Sequence, residues 1–143
     1  MKELIGKYIH ELWKSEDDDK LMFVVSDNRK KYYGTVEDVV MYEAKADCCN
    51  RVWFESINGF SSLLGFRVNK VEEKEWTKLS TDDGEVLDAG FWTLSTSHGY
   101  VDFEVRNSHN GYYGGDIVLV DPRFHYVHLL NKKWKPVTSK ESL

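Results

Sequence analysis

The chain is poor in the features that most often announce a function. It has two prolines and two cysteines in 143 residues. No apolar run approaches the ~20 residues that a helix needs to cross a bilayer, and the N-terminus lacks the apolar stretch of a signal peptide. The expectation is a cytoplasmic protein with no membrane partner. Cys48 and Cys49 are adjacent. That excludes a disulfide framework, because a bridge between neighbours closes a strained ring, and the pair lacks zinc-loop spacing. It is read as a buried structural pair. A basic excess is also missing: 19 Lys and Arg stand against 24 Asp and Glu, for a net charge of -5. Non-specific nucleic-acid binding depends on a basic surface that releases counterions, so that partner class is set aside.

The opposite extreme, an acidic imitation of nucleic acid, rests on Glu16-Asp17-Asp18-Asp19 and Glu72-Glu73. Those carboxylates sit among Lys14, Lys20, Lys70 and Lys74. A mixed solvated face is the simpler reading. Chemistry-bearing motifs are absent too. No Gly-Lys-Ser/Thr follows a glycine loop, and there is no Gly-x-Gly-x-x-Gly, His-Glu-x-x-His or nucleophile elbow. No cofactor and no metal is expected. His125 and His128, three apart, fall on opposite faces of a strand. His98 and His109 stand at the two ends of another. Asp102 and Glu104 share a strand face, which reads as solvated. An enzyme built on Cys48 or Cys49 has no neighbouring base in sequence, so no catalytic residue is anchored.

Strands are what the sequence supplies. Aromatic residues make up 14% of the chain, and Tyr, Trp and Phe favour pleated, half-buried surfaces. Strand patterns cover residues 7–14, 21–25, 30–36, 52–54, 66–76, 91–96 and 124–130. Residues 37–46 fit a short helix or a strand. Residues 57–65 read as one or two helical turns, with Phe60, Leu63 and Leu64 on one face and Gly65 as terminator. The clearest pattern is residues 100–106, where Val101, Phe103 and Val105 alternate with Asp102, Glu104 and Arg106. Its expected neighbours are residues 91–96 upstream, through a turn at His98-Gly99, and 113–120 downstream. The fold class is therefore mostly β (α+β). It is expected to be a twisted antiparallel sheet, or a partly open barrel, of about six to eight strands with one short helix. Residues 1–143 form a single domain, with 122–143 as a C-terminal extension whose end frays.

One segment stands out: Arg106-Asn107-Ser108-His109-Asn110-Gly111-Tyr112-Tyr113-Gly114-Gly115-Asp116. Asn110-Gly111 is a two-residue hairpin signal, and Gly114-Gly115 fits a bulge in the returning strand. Glycines also let a ligand approach the backbone, amides bond at fixed edges, tyrosines stack on planar rings, and Arg106 suits a phosphate or carboxylate. The same set suits a protein-binding hairpin. The candidate binding residues are Arg106, Asn107, Asn110, Tyr112 and Tyr113, joined by Trp53 on an aromatic face with Phe54. Turn geometry, a nucleotide pocket and a protein-binding hairpin all remain open.

Several of these stretches carry a resemblance. Asp47-Cys48-Cys49-Asn50, Trp53-Phe54-Glu55-Ser56-Ile57, Leu64-Gly65, Val71-Glu72-Glu73, Glu104-Val105-Arg106-Asn107-Ser108 and Asn110-Gly111-Tyr112-Tyr113-Gly114-Gly115 resemble a family of small uncharacterised bacteriophage and prophage proteins. The likeness covers residues 4–120. It implies no catalytic residues. It does imply the setting of a phage accessory protein in a bacterial cytoplasm. Such proteins often inhibit a host defence system by binding a protein partner or by sequestering a signalling nucleotide, the latter as a homo-oligomer with a pocket across the subunit boundary.

Overall fold

The computed structural model describes residues 1–28, 38–47, 49–82, 84–111, 114–122 and 134–138. Cys48, Tyr112, Tyr113, the expected strand over 30–36 and the expected strand over 124–130 with His125 and His128 lie outside the described residues.

The mostly-β expectation holds. Nine strands among the described residues make two antiparallel sheets. The first sheet has five strands, in the order β8 (Asp116–Val120), β3 (Val39–Lys45), β2 (Lys20–Ser26), β1 (Tyr8–Ser15) and β9 (Trp134–Pro136). The second has four, in the order β4 (Arg51–Asn58), β7 (Gly99–His109), β6 (Glu85–Thr96) and β5 (Val68–Asp82). Within the stretch read as a helix or a strand, Val39–Lys45 is a strand. The helix expected over 57–65 contracts to a 3₁₀ turn at Phe60–Ser62, since Ile57 and Asn58 complete β4. Gly59 makes that turn in the left-handed region at φ 84°.

Period-two alternation builds the core between the sheets. Val101, Phe103 and Val105 point inward and are fully buried, facing Leu12, Leu21, Phe23 and Tyr42 of the first sheet. Burying side chains of this size contributes about 1.5–3 kcal/mol each. Phe23 packs against both Phe103 and Tyr42, with ring centroids 5.8 and 5.9 Å apart. The uneven alternation of β5 has a cause. Its register against β6 shifts at three places, between Val68 and Lys70, between Lys74 and Thr77, and between Lys78 and Ser80. Each bulge resets which residues face inward. Val68, Val71 and Trp76 therefore all pack on the core side.

The sheets are joined at two corners. At one, the start of β1 and the two residues before it hydrogen-bond the start of β5 and the segment before it: Gly6 N–H to Val68 O (2.8 Å), Val68 N–H to Lys7 O (3.0 Å) and Gly65 N–H to Ile9 O (2.7 Å). At the other stands the acidic β1–β2 turn. Asp18 adopts φ 61°, its carbonyl accepts from Phe54 N–H (2.8 Å), and Asp19 O accepts from Ala44 N–H (2.7 Å). Two of the turn's carboxylates have lysine partners, Asp18 with Lys14 and Asp19 with Lys20. An acidic stretch in sequence is a brace between the sheets in the fold.

Two expectations change here. The segment after Asn110 does not return alongside β7, because both edges of β7 are taken, by β6 and by β4. The chain instead crosses to the other sheet, where β8 pairs with β3. A two-residue I′ hairpin needs positive φ at both central residues. Only Gly111 has it, at 103°, and Asn110 does not. The C-terminal segment also contributes more than a frayed end. Trp134–Pro136 pairs with β1, and buried Val137 donates its N–H to Leu12 O at 2.8 Å.

Candidate functional site

The last residues of β7 carry two polar clusters, one on each face of the second sheet. Arg106 and Asn107 are neighbours in sequence, so the pleat sends them to opposite faces. Trp53 and Phe54 divide the same way: Trp53 is half-buried on the outer face, and Phe54 is buried in the core at 1% exposure. The expected aromatic face of Trp53 with Phe54 does not form. The expected single surface is split by the sheet itself.

The outer cluster is built on β4 and β7. Trp53 lies directly opposite Arg106 in the ladder. The register shifts between Phe54 and Ser56, and Glu55 is the extra residue. Its carboxylate accepts from Trp53 Nε1–H at 2.6 Å and lies 3.5 Å from Arg106 Nη1. Arg106 Nε–H also donates to Glu104 at 2.8 Å. The Arg51 guanidinium sits over the Trp53 ring, 4.6 Å from its centroid. This is a cation–π contact, which suits the negative face of the indole. Two cations and two carboxylates therefore surround one indole, and the local charge balances.

The inner cluster continues the row of Val101, Phe103 and Val105. Asn107 and His109 occupy the next two inward positions, where the core becomes polar. Asn107 is 1% exposed, and its Oδ1 accepts from Asn50 Nδ2 at 2.9 Å. The same Nδ2 reaches Gly114 O at 3.2 Å, which leaves Asn50 Oδ1 buried without a hydrogen-bond partner among the described residues. A side chain at Gly115 would meet Val52 and Asn107 at 3.0–3.2 Å, so this crossing lies close against β4 and β7. His109 Nδ1 accepts from Gly111 N–H at 2.9 Å, which places the ring proton on Nε2. Nε2–H donates to Asp88 at 2.6 Å. Both ring nitrogens are therefore engaged, and neither is available to take a proton from a substrate. The Asp88–His109 pair fastens the chain at the point where it leaves β7. Asn110 is exposed in the turn beyond it.

Sequence reasoning singled out Arg106, Asn107 and Trp53 but not the groups that hold them: Glu55, Arg51, Asn50 and Asp88. One signal was available. The inward row of β7, extended by its own period, runs into Asn107 and His109, and a polar residue on a core row implies a buried partner. Cys49 also departs from the buried pair expected of it. It is exposed and disulfide-bonded, contrary to the expectation of a buried pair without a bridge. The loop between β3 and β4 turns it outward, away from the core. No group of three or more His, Cys, Asp or Glu able to hold a metal occurs among the described residues. No helix of the described residues is long and apolar enough to cross a membrane.

Over residues 2–119 the chain matches, and so belongs to, the family described as Domain of unknown function (DUF7448). No curated protein and no solved structure matches it.

Proposed function

Starting from membership in a family defined without a function, we propose that this protein is a non-enzymatic binding module whose contact surface is the outer face of the second sheet around Trp53 and Arg106. The observation that carries the reading is the fixed indole. Trp53 is half-exposed, its Nε1–H is held by Glu55, and its face is held by Arg51. An aromatic anchor already ordered in the free protein loses little entropy on binding, and Trp, Tyr and Arg are the residues that dominate interface energetics. Tyr100 lies on the same outward row as Arg106 and is 70% exposed. Balanced charge around the anchor favours a protein partner over a polyanion. The resemblance to phage proteins adds a partner class, a component of a host defence system.

The nucleotide-sponge reading is supported less well by the same geometry. Arg106 is the natural phosphate ligand, yet two carboxylates already engage its guanidinium. Asn107, the natural base-edge contact, is buried and bonded to Asn50.

The test is affinity capture from lysate of a bacterial host with four baits: wild type, Trp53→Ala, Arg106→Ala and, on the other sheet, Lys45→Ala. The reading expects a polypeptide retained by wild type and Lys45→Ala and lost by the other two. If nothing retained depends on Trp53, the reading fails. Thermal shift with mono-, di- and cyclic nucleotides is the companion measurement. A ligand that raises the melting temperature by mass action would transfer the proposal to the nucleotide reading.

A further inference from the structure

A sheet edge offers a row of unpaired backbone groups to any other strand, and folds commonly blunt such edges. The two sheets have four edges among the described residues, and three of them carry a recognisable device. β5 is bulged at three places and bristles with Lys70, Glu72, Glu73, Lys74 and Lys78. β9 is three residues long and includes Pro136, which has no N–H to offer. β4 is bulged at Glu55, and its Phe54 N–H is taken by the Asp18 carbonyl.

Among the described residues the fourth edge, β8, is the least guarded, covered only at its start by the carboxylate of Asp116. Its residues Asp116, Ile117, Val118, Leu119 and Val120 pair with β3 in an unbroken five-residue register. Four of the five are apolar and favour strands, and no lysine or proline guards them. Leu119 is 54% exposed, although it lies in the same row as buried Tyr42 on the core-facing side of the sheet. One donor of this edge is held only locally, Ile117 N–H by the carboxylate of Asp116 at 2.8 Å.

We propose that β8 is the docking edge for a second copy of this chain, paired antiparallel about a two-fold axis at Val118. The sequence of the strand selects that occupant. With Val118 opposite Val118 of the other copy, Ile117 falls opposite Leu119, and Asp116 falls opposite Val120. No like charges meet. Apolar side chains face each other along the core-side row, where cross-strand pairs stabilise a sheet most directly. The same patch meets itself, as a closed two-fold interface requires. The union turns two five-stranded sheets into one of ten strands. It covers Leu119 and leaves the Trp53–Arg106 face of each copy free, so it does not rest on the reading given above.

Sedimentation or light scattering across a concentration series, from low micromolar to near millimolar, tests the pairing. The expected result is a rise from one chain to two. Leu119→Lys changes an exposed side chain and should weaken the dimer by about tenfold or more, as should Val118→Lys. Leu79→Lys on the bulged β5 edge leaves association unchanged. Asp116→Ala removes the carboxylate that covers Ile117 N–H and should strengthen association several-fold. Melting curves of each variant confirm that the monomer folds. A chain that stays monomeric at every concentration overturns the proposal. So does a dimer that neither the Leu119 nor the Val118 substitution weakens.

Discussion

Trp53 and Arg106 stand opposite one another across the β4–β7 ladder, and Glu55, bulged out of β4, holds them both. One carboxylate thus sets the position of an indole and a guanidinium from two strands. Replacing Glu55 by alanine should cost about 1 kcal/mol, since the carboxylate is partly solvated and exposed ion pairs contribute little. Glu55→Gln should cost less, because it can still accept from the indole. Urea titration of the three proteins measures the order. A Glu55→Ala protein as stable as wild type would mean that the outer cluster is not held together by this side chain.

Asn50 and Asn107 form a part-buried amide pair between a loop and the inward face of β7. Asn107→Ala removes a buried acceptor of the Asn50 amide, and a loss of about 1–3 kcal/mol is expected. The double substitution should cost less than the sum of the two single ones. A coupling energy of about 0.5 kcal/mol or more in a double-mutant cycle is the expected outcome, and strict additivity would deny the contact any energetic weight.

Gly59 and Gly65 have nearly the same backbone angle, φ 84° and 83°, in different surroundings. A Cβ at Gly59 would lie 2.3 Å from the Tyr100 carbonyl oxygen, whereas one at Gly65 meets nothing within 4 Å. Gly65→Ala therefore carries only the left-handed backbone cost, about 1–2 kcal/mol. Gly59→Ala adds a collision with backbone that cannot rotate away, and should cost about 3 kcal/mol or more. Equal melting temperatures for the two variants would contradict this account.

Tyr42 O–H donates to Glu3 at 2.9 Å. Burial, then the Glu3 hydrogen bond and charge, push the tyrosine well above its ordinary range. Burial alone would raise the Glu3 carboxyl, but the Tyr42 hydrogen bond, its own backbone N–H and nearby positive charge outweigh it and hold the group low. The two signs differ. Stability from the depressed carboxyl is present above its unfolded value of about 4 and is lost as pH falls through the folded one. Stability from the raised phenol is complete below about pH 10 and is lost as pH climbs beyond it. Tyr42→Phe should therefore lower stability by about 1–2 kcal/mol near neutrality and flatten both the acid and the alkaline flanks of the stability curve. Parallel curves for variant and wild type would remove the pair from the pH response.

Much of this fold was legible in the sequence because it obeys a local rule. The alternation of Val101, Phe103 and Val105 fixed a face, and that face is the core. What escaped was long-range. Asn110-Gly111 has the composition of a hairpin turn, but composition does not record that β4 already occupies the free edge of β7. The same limit divided the site. Arg106 and Asn107 are adjacent in sequence and sit on opposite sides of a sheet. The groups that fix them, Glu55 and Asn50, lie about 50 residues upstream in β4 and the loop before it. The acidic run at residues 16–19 shows the reverse case, since charge patterning located its lysine partners but not the backbone bonds that make it a brace.

The pairing of β9 with β1 bears on how the chain reaches this structure. Trp13, Lys14 and Ser15 find their partners in Pro136, Lys135 and Trp134, so the ladder closes across nearly the whole sequence. Among the described strand pairings this contact has the greatest loop-closure cost and should form late. During synthesis one side of β1 waits, unpaired by β9, until almost every other strand has been made. Over that interval the nascent chain is most open to mispairing, and a cell making this protein quickly would feel that delay first.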